Sequence, residues 1–220
     1  MLSNPTLESL VVSIAVLAVM LLVAFPIHEF AHALAAYRLG DGTAKLMGRL
    51  TLDPRAHFDP MGGLLLVISV LLTPFGFGWA KPTPYNPRML RGGRWGEAIV
   101  SVAGPISNLA LAIAGAIPLR YIYATNMDAG LLTDFLSFFV IINLVLMVFN
   151  LIPIPPLDGS KVLFAFMDPR TAWQVRPILE QYGILILRGA MLLPLFGGNT
   201  LIDVVFNELL RPLYRLLVGA

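Results

Sequence analysis

Four long stretches of the chain carry no charged residue and are dominated by apolar side chains. They cover residues 9–27, 61–80, 98–119 and 135–157. Each is close to the ~20 residues that a helix needs to cross the hydrocarbon core of a bilayer. A shorter uncharged stretch, 189–202, is interrupted by a proline and a pair of glycines, which indicates a weak or broken span. The pattern therefore predicts an all-α polytopic membrane protein with about four to six transmembrane helices.

The segments between these stretches differ in their turn and strand signals. The first predicted helix runs over about residues 7–37 and ends at Gly40-Asp41-Gly42. Residues 43–60 mix β-branched and turn residues, which predicts a short strand and loop. Residues 75–88 contain prolines at 82, 84 and 87, so an extended segment is expected there. Further helices are predicted at about 95–122 and 131–152, with one or two more in 170–220.

Composition supports a membrane location and limits the possible partners. The 220 residues are 57% hydrophobic and 13% charged, and their mean hydropathy is +0.79. A net charge of +2 is too small to suggest nucleic-acid binding. No basic region precedes the first apolar stretch, so we expect a retained helix rather than a cleaved signal. Without repeats or a large hydrophilic block, residues 1–220 are expected to form one membrane domain, and nothing in them indicates an oligomeric state.

A candidate metal site lies at the end of the first apolar stretch, in "VAFPIHEFAHALAAY". Burying the Glu29 carboxylate is costly unless something compensates its charge. Positions i and i+4 share one face of a helix, so His28 and His32 can chelate one metal while Glu29 projects beside it. The chain has no cysteine, so any further ligand must be histidine, carboxylate or main chain. Asp158, in "NLIPIPPLDGSKV", is the other carboxylate closest to a membrane core.

Each of these residues also has a purely structural interpretation. The two histidines could be hydrogen-bonded in a packed interior, with Glu29 pairing with one of them. Asp158 could belong to an ordinary Asp-Gly turn that follows a helix. Ionisable residues inside a membrane are usually functional, so we favour a metal site. Catalytic zinc takes three protein ligands and leaves one position open, a requirement that this set could meet.

Three motifs in this order resemble the site-2 protease family of intramembrane zinc metalloproteases. They are "HEFAH" in the first helix, "GPISN" at 104–108 and "NLIPIPPLDG" at 150–159. The resemblance covers about residues 10–165 and is to a compact form without a PDZ or CBS domain. It implies that His28, His32 and Asp158 bind one Zn²⁺ and that Glu29 is the general base. It also implies that the substrate is a transmembrane segment of a membrane protein.

The resemblance draws attention to three secondary candidates. Asn108 and Asn150 are polar residues on apolar helices, and either could hold substrate backbone or stabilise an oxyanion. Interhelical hydrogen bonding is the alternative for Asn108, and Asn150 is interpreted mainly as a structural group near the LDG loop. His57, in "RAHFDP", is a candidate for a place near the active site, the alternative being a hydrogen bond to Asp59 or to main chain.

Helix direction gives a test of the candidate site. Both His28 and Asp158 lie near the C-terminal ends of their apolar stretches, so those helices must run in the same direction to meet. If both 61–80 and 98–119 crossed the membrane, Asp158 would lie on the wrong side. We therefore expect 61–80 to be re-entrant. Basic residues flank it on both sides, which predicts a cytoplasmic location for these loops and for the nearby active site of a multi-pass cell-membrane protein.

Two other functional classes use the same residues. A metal transporter or channel would hold an exchangeable ion between the His and Asp ligands and would cleave no peptide. A catalytically silent scaffold would bind transmembrane helices and keep the metal for stability. Since all four residues that the family resemblance makes catalytic are present, an intramembrane zinc endopeptidase is the favoured function.

Overall fold

The computed structural model describes residues 17–72, 81–127, 129–193 and 200–219, together with Val11, Ile14 and Ala15. Within these ranges the chain is mainly helical and has no strand. The helices are α1 (Leu17–Arg38, with a π-helical stretch at Met20–Ala24), α2 (Thr43–Leu46), α3 (Pro54–His57), α4 (Pro60–Leu72), α5 (Arg94–Ala124), α6 (Leu131–Asn150), α7 (Gly159–Phe166), α8 (Pro169–Leu192) and α9 (201–218).

Three of the described helices, α1, α5 and α6, are long and apolar enough to cross a membrane. This confirms the all-α membrane class, with a number of spans close to the predicted range. The described part of α4 has 13 residues. At 1.5 Å per residue it is only ~20 Å long, less than the ~30 Å of a bilayer's hydrocarbon core.

The residues that flank 58–80 on its two sides, His57 and Lys81, are in contact with each other. The Lys81 N–H donates a hydrogen bond of 2.9 Å to the His57 carbonyl. A single complete crossing would separate these two ends by about 30 Å. The contact therefore agrees with the expected re-entrant path for 61–80, although residues 73–80 lie outside the described part of the chain.

The strand expected in 43–60 is not formed, and two one-turn helices, α2 and α3, occupy this stretch instead. The physical reason for α3 is an Asp-Pro helix start. The Asp53 carboxylate accepts the Arg55 N–H at 3.0 Å, and proline lies at the first helical position. The same dipeptide starts α4 at Asp59 and α8 at Asp168, whose carboxylates also accept main-chain N–H groups.

Helix α5 is central, because it packs against α1, α6 and α7. Small residues on α5 permit close approach: a Cβ at Gly115 would lie 2.7 Å from the Phe139 ring on α6. The main apolar core lies between α5, α6 and α9. Its buried members are Ala112, Ala116, Leu119, Val140, Leu144, Met147, Val148, Val205, Leu210 and Val218.

Helix α8 is attached to the same body. Arg176 makes a bidentate ion pair with Glu97 on α5, at 2.9 and 3.1 Å, and Glu97 is only 4% exposed. Gly183 packs against the Pro155 carbonyl so closely that a Cβ there would collide with it. Pro155 belongs to the loop that carries Asp158, so α8 supports that loop from outside.

Candidate metal centre

Helix α1 places two imidazoles side by side. His28 and His32 are each 7% exposed, and their Nε2 atoms lie 3.0 Å apart. The i, i+4 spacing accounts for this arrangement, as predicted. The helix ends at Arg38, and Gly40, with φ of 107°, turns the chain away. The pair therefore lies in the C-terminal half of a helix long enough to span a membrane.

The loop between α6 and α7 brings a carboxylate to these imidazoles. Asp158 Oδ2 lies 3.4 Å from His28 Nε2 and 3.3 Å from His32 Nε2. Glycine is needed at the next position, because a Cβ at Gly159 would lie 2.6 Å from the Ile152 carbonyl oxygen and would also collide with the preceding carbonyl. The structure thus brings His28, His32 and Asp158 together, and among the described residues no other His, Asp or Glu joins them.

The spacing of these three atoms fits tetrahedral zinc. Zinc bonds of 2.0–2.1 Å at tetrahedral angles place ligand atoms about 3.3–3.4 Å apart. The three separations in the structure are 3.0, 3.3 and 3.4 Å. Two imidazole lone pairs and a carboxylate at these distances repel each other, so the donor set calls for a cation. Three protein ligands leave a fourth position for catalysis.

Hydrogen bonds at the opposite ring nitrogens orient the imidazoles. His32 Nδ1 donates to the Val100 carbonyl at 2.7 Å, and His28 Nδ1 donates to Asn108 Oδ1 at 2.6 Å. With Nδ1 protonated, each Nε2 presents its lone pair towards Asp158. Such second contacts fix the tautomer and raise the basicity of metal-ligating histidines.

A chain of amides determines which way Asn108 points. The Phe139 carbonyl can only accept, so Asn143 must donate to it through Nδ2, at 2.9 Å. Asn143 Oδ1 then accepts from Asn108 Nδ2 at 3.1 Å, which leaves Asn108 Oδ1 to accept from His28. Both asparagines are fully buried. The sequence analysis did not single out Asn143, whose only signal is a polar residue within an apolar helix.

Glu29 lies beside the three-residue group and is 9% exposed. Its Oε2 accepts the Thr83 N–H at 2.7 Å, and its main-chain carbonyl accepts the Thr83 hydroxyl at 3.0 Å. Its Oε1 has no recorded hydrogen bond among the described residues. The carboxylate is therefore held at one oxygen only, within the part of the chain that the structure describes.

Gly104 on α5 faces the two imidazoles directly. A Cβ at this position would lie 2.6 Å from His28 Nε2 and closer still to His32 Nε2. By itself, a Gly-Pro pair within a helix indicates only close packing or a kink. In the structure, the absent side chain leaves room for the Nε2 atoms of the two imidazoles.

Of the other candidates, only Asn108 contacts the three-residue group, through His28. His57 is 1% exposed, and its Nε2 donates to the Thr51 carbonyl at 2.8 Å. This contact is the hydrogen bond to main chain that was the alternative to a place near the active site. Asn150 Nδ2 donates to the Leu146 carbonyl of its own helix at 2.9 Å. Asn108 lies behind His28, where its amide is engaged on both sides. None of these contacts points to a substrate-binding role in this conformation.

We expect Asn108→Ala to weaken zinc binding by about 10–100-fold, because His28 would lose the acceptor that orients it. Competition with a fluorescent chelator measures the Kd for zinc in the purified protein. Asn207→Ala, at an exposed asparagine of α9, is the matched control. An unchanged Kd in Asn108→Ala would show that the amide does not support the ligand.

Comparison with known proteins identifies the family. The model of Peptidase family M50 matches residues 113–193. The chain is 40% identical to the "Putative zinc metalloprotease YwhC" of Bacillus subtilis, over 90% of this chain and 93% of that protein. It is 33% identical to the "Putative zinc metalloprotease Rip2" of Mycobacterium tuberculosis, over 80% of this chain and 66% of that protein. No solved structure gives a significant match.

These matches agree with the three motifs and with the zinc-compatible group that the fold assembles. The YwhC match extends over nearly the whole of both chains, well beyond the motifs themselves. The similarity, the long apolar helices and the His-His-Asp group all point to the same family. The chain therefore belongs to peptidase family M50, the site-2 protease family, and is a membrane zinc metalloprotease.

Proposed function

We propose that this protein is an intramembrane endopeptidase that cleaves transmembrane segments of other membrane proteins. The observation that supports this most strongly is the position of the His28, His32 and Asp158 group. Two of its members lie within a helix that is long enough to span a membrane, and the third follows another such helix. A protease whose metal ligands lie at this level meets substrates in the bilayer rather than in free solution.

In the proposed mechanism, His28, His32 and Asp158 hold the zinc ion. When bound, zinc lowers the pKa of water towards ~7 and polarises the scissile carbonyl. Glu29 takes the proton of the attacking water through its available Oε1 and later passes it to the leaving amine. The peptide C–N bond breaks, and the products are a carboxylic acid and an amine. Asn108 keeps His28 in the tautomer that presents Nε2.

A helical substrate must be unwound locally before its carbonyl can react. An extended segment next to the active site is a candidate edge to which an unwound substrate strand could add. Within residues 81–86, however, two residues are prolines, and the N–H groups of Lys81, Thr83 and Asn86 donate to the protein itself. Only the Tyr85 N–H remains without a recorded partner there, so this part is a poor template for strand addition. Residues 75–80 of this segment lie outside the described part of the chain.

A cleavage assay in liposomes tests the proposed function. Purified zinc-loaded protein is reconstituted with a panel of single-span membrane proteins, and mass spectrometry locates the cut sites. We expect cuts inside transmembrane segments, lost with 1,10-phenanthroline and restored by zinc. Soluble domains of the same substrates serve as controls. Cleavage confined to those domains would contradict intramembrane proteolysis, and zinc transport without cleavage would favour the transporter class.

We further propose a multi-pass cell-membrane topology with the metal centre towards the cytoplasm. Lys45, Arg49, Arg88 and Arg91 flank the expected re-entrant segment, and the positive-inside rule favours the cytoplasm for such loops. The contact between His57 and Lys81 supports placing both flanks on one side. The contacts of α8 with Glu97 and Pro155 support a single domain over 1–220.

Single-cysteine labelling checks this topology. The chain has no cysteine, so cysteines at the exposed positions Leu46, Arg88 and Met127 can be labelled one at a time with a membrane-impermeant maleimide. We expect the first two to react only from the cytoplasmic side and the third only from the opposite side. Labelling of the Leu46 and Arg88 positions from different sides would show that 61–80 crosses the membrane.

A further inference from the structure

Residues 81–86 form an extended segment that lies against the catalytic part of α1. Its hydrogen bonds to that helix come from Thr83. The Thr83 N–H donates to Glu29 Oε2 at 2.7 Å, and the Thr83 hydroxyl donates to the Glu29 carbonyl at 3.0 Å. One residue therefore contacts both the side chain and the backbone of Glu29.

The segment is held in place on both sides of Thr83. Before it, the Lys81 N–H donates to His57, and Arg49 Nη2 donates to the carbonyls of residues 81 and 82, each at 3.3 Å. After it, the Asn86 N–H donates to Asp41 Oδ2 at 2.6 Å. Prolines at 82 and 84 restrict the backbone on either side of Thr83. Thr83 is thus presented from a rigid support.

We propose that Thr83 is a positioning residue for the general base, an inference that rests on the proposed role of Glu29. A carboxylate next to two metal-binding histidines is itself a good zinc ligand. If Glu29 were free to rotate, it could bind the metal and occupy the open fourth position. The N–H bond to Oε2 holds the carboxylate in place and leaves Oε1 to accept the proton.

The two Thr83 bonds have separate functions. The N–H bond is charge-assisted and fixes the orientation of the carboxylate. The hydroxyl bond to the Glu29 carbonyl fixes the distance between the extended segment and α1, so it determines where that N–H lies. A small displacement of a reacting group costs up to about 100-fold in rate. We therefore expect Thr83 to affect the chemical step rather than substrate or zinc affinity.

Three substitutions separate these contacts. Thr83→Ser keeps both bonds and should retain near-normal kcat. Thr83→Val keeps the N–H but removes the hydroxyl, and should lower kcat about 10-fold. Thr83→Pro removes both donors in a segment already rich in proline, and should lower kcat about 100-fold. KM and zinc content should stay unchanged in all three, measured with a substrate identified in the liposome assay.

Thr133→Val, a threonine-to-valine change at the start of α6, is the matched control and should leave kcat unchanged. The inference is overturned if Thr83→Val keeps full kcat, or if kcat falls only in proportion to zinc content or folded protein. The Ser and Val variants decide the matter if Thr83→Pro does not fold. Glu29→Gln is measured in parallel: if it is active, the proposed role of Glu29 fails, whereas an inactive Glu29→Gln with a fully active Thr83→Val refutes only the Thr83 inference.

Discussion

Glu29→Gln lowers peptide-bond hydrolysis by about 10²–10⁴-fold while the purified protein keeps its zinc, as the general-base role requires. Glutamine has nearly the same shape and can still accept the Thr83 N–H at its carbonyl oxygen, but it cannot take a proton from water. His28, His32 and Asp158 are unaffected, so about one zinc per chain is retained. Metal analysis and the liposome cleavage assay, run on the same preparation, measure the two properties.

The matched control for this substitution is Glu208→Gln, at an exposed glutamate of α9. It removes the same charge far along the chain from the metal-binding motif, and both zinc content and cleavage should be unchanged. Substantial cleavage by Glu29→Gln would exclude the proposed mechanism, because Glu29 is the only carboxylate residue next in sequence to either histidine of this group.

Gly104→Ala should lower both zinc occupancy and cleavage by at least about 100-fold. Alanine is the better residue for a helix interior, by roughly 0.5–1 kcal/mol, so helix α5 itself should not be weakened. The added Cβ would lie 2.6 Å from His28 Nε2 and closer to His32 Nε2, which forces the imidazoles out of position. Zinc content, cleavage and thermal unfolding of the detergent-solubilised protein measure the effect.

Gly189→Ala is the matched control, because Gly189 is also within a helix and a Cβ there meets nothing within 4 Å. This variant should keep its zinc and activity and should be slightly more stable. If Gly104→Ala bound zinc normally, α1 and α5 would have to separate at this crossing, and the close approach would not be required for the site.

The three candidate ligands could be selected from sequence, the two histidines by a local signal and Asp158 with the help of the family resemblance. The spacing of His28 and His32 depends only on helix geometry, and Asp158 stands out as a charge beside a long apolar stretch. The helices that carry or precede His28 and Asp158 must run in the same direction, so 61–80 was expected to re-enter the membrane without crossing it. The contact between His57 and Lys81 agrees with this expectation. These inferences need no knowledge of how the helices pack.

The supporting contacts could not be predicted in this way. The Asn108 amide meets His28 because of how α1 and α5 are rotated against each other, and this rotation depends on the packing of the two helices as a whole. The contact of Thr83 with Oε2 of Glu29 uses a main-chain N–H, which every residue but proline has, so no residue type marks it. Helix α3 was missed for another reason: Asp53-Pro54 is a helix-start signal, but one turn is too short to show a hydrophobic period.

The order of the three candidate metal ligands along the chain has a consequence for truncated chains. His28 and His32 leave the ribosome early, whereas Asp158 follows two further spans and is supported by α8 through the contact of Gly183 with Pro155. A nascent chain that ends before α8 holds two imidazoles but lacks the braced third ligand. We therefore expect a chain truncated before α8 to bind zinc more weakly than the full chain, because the Asp158 loop has lost its contact with Gly183.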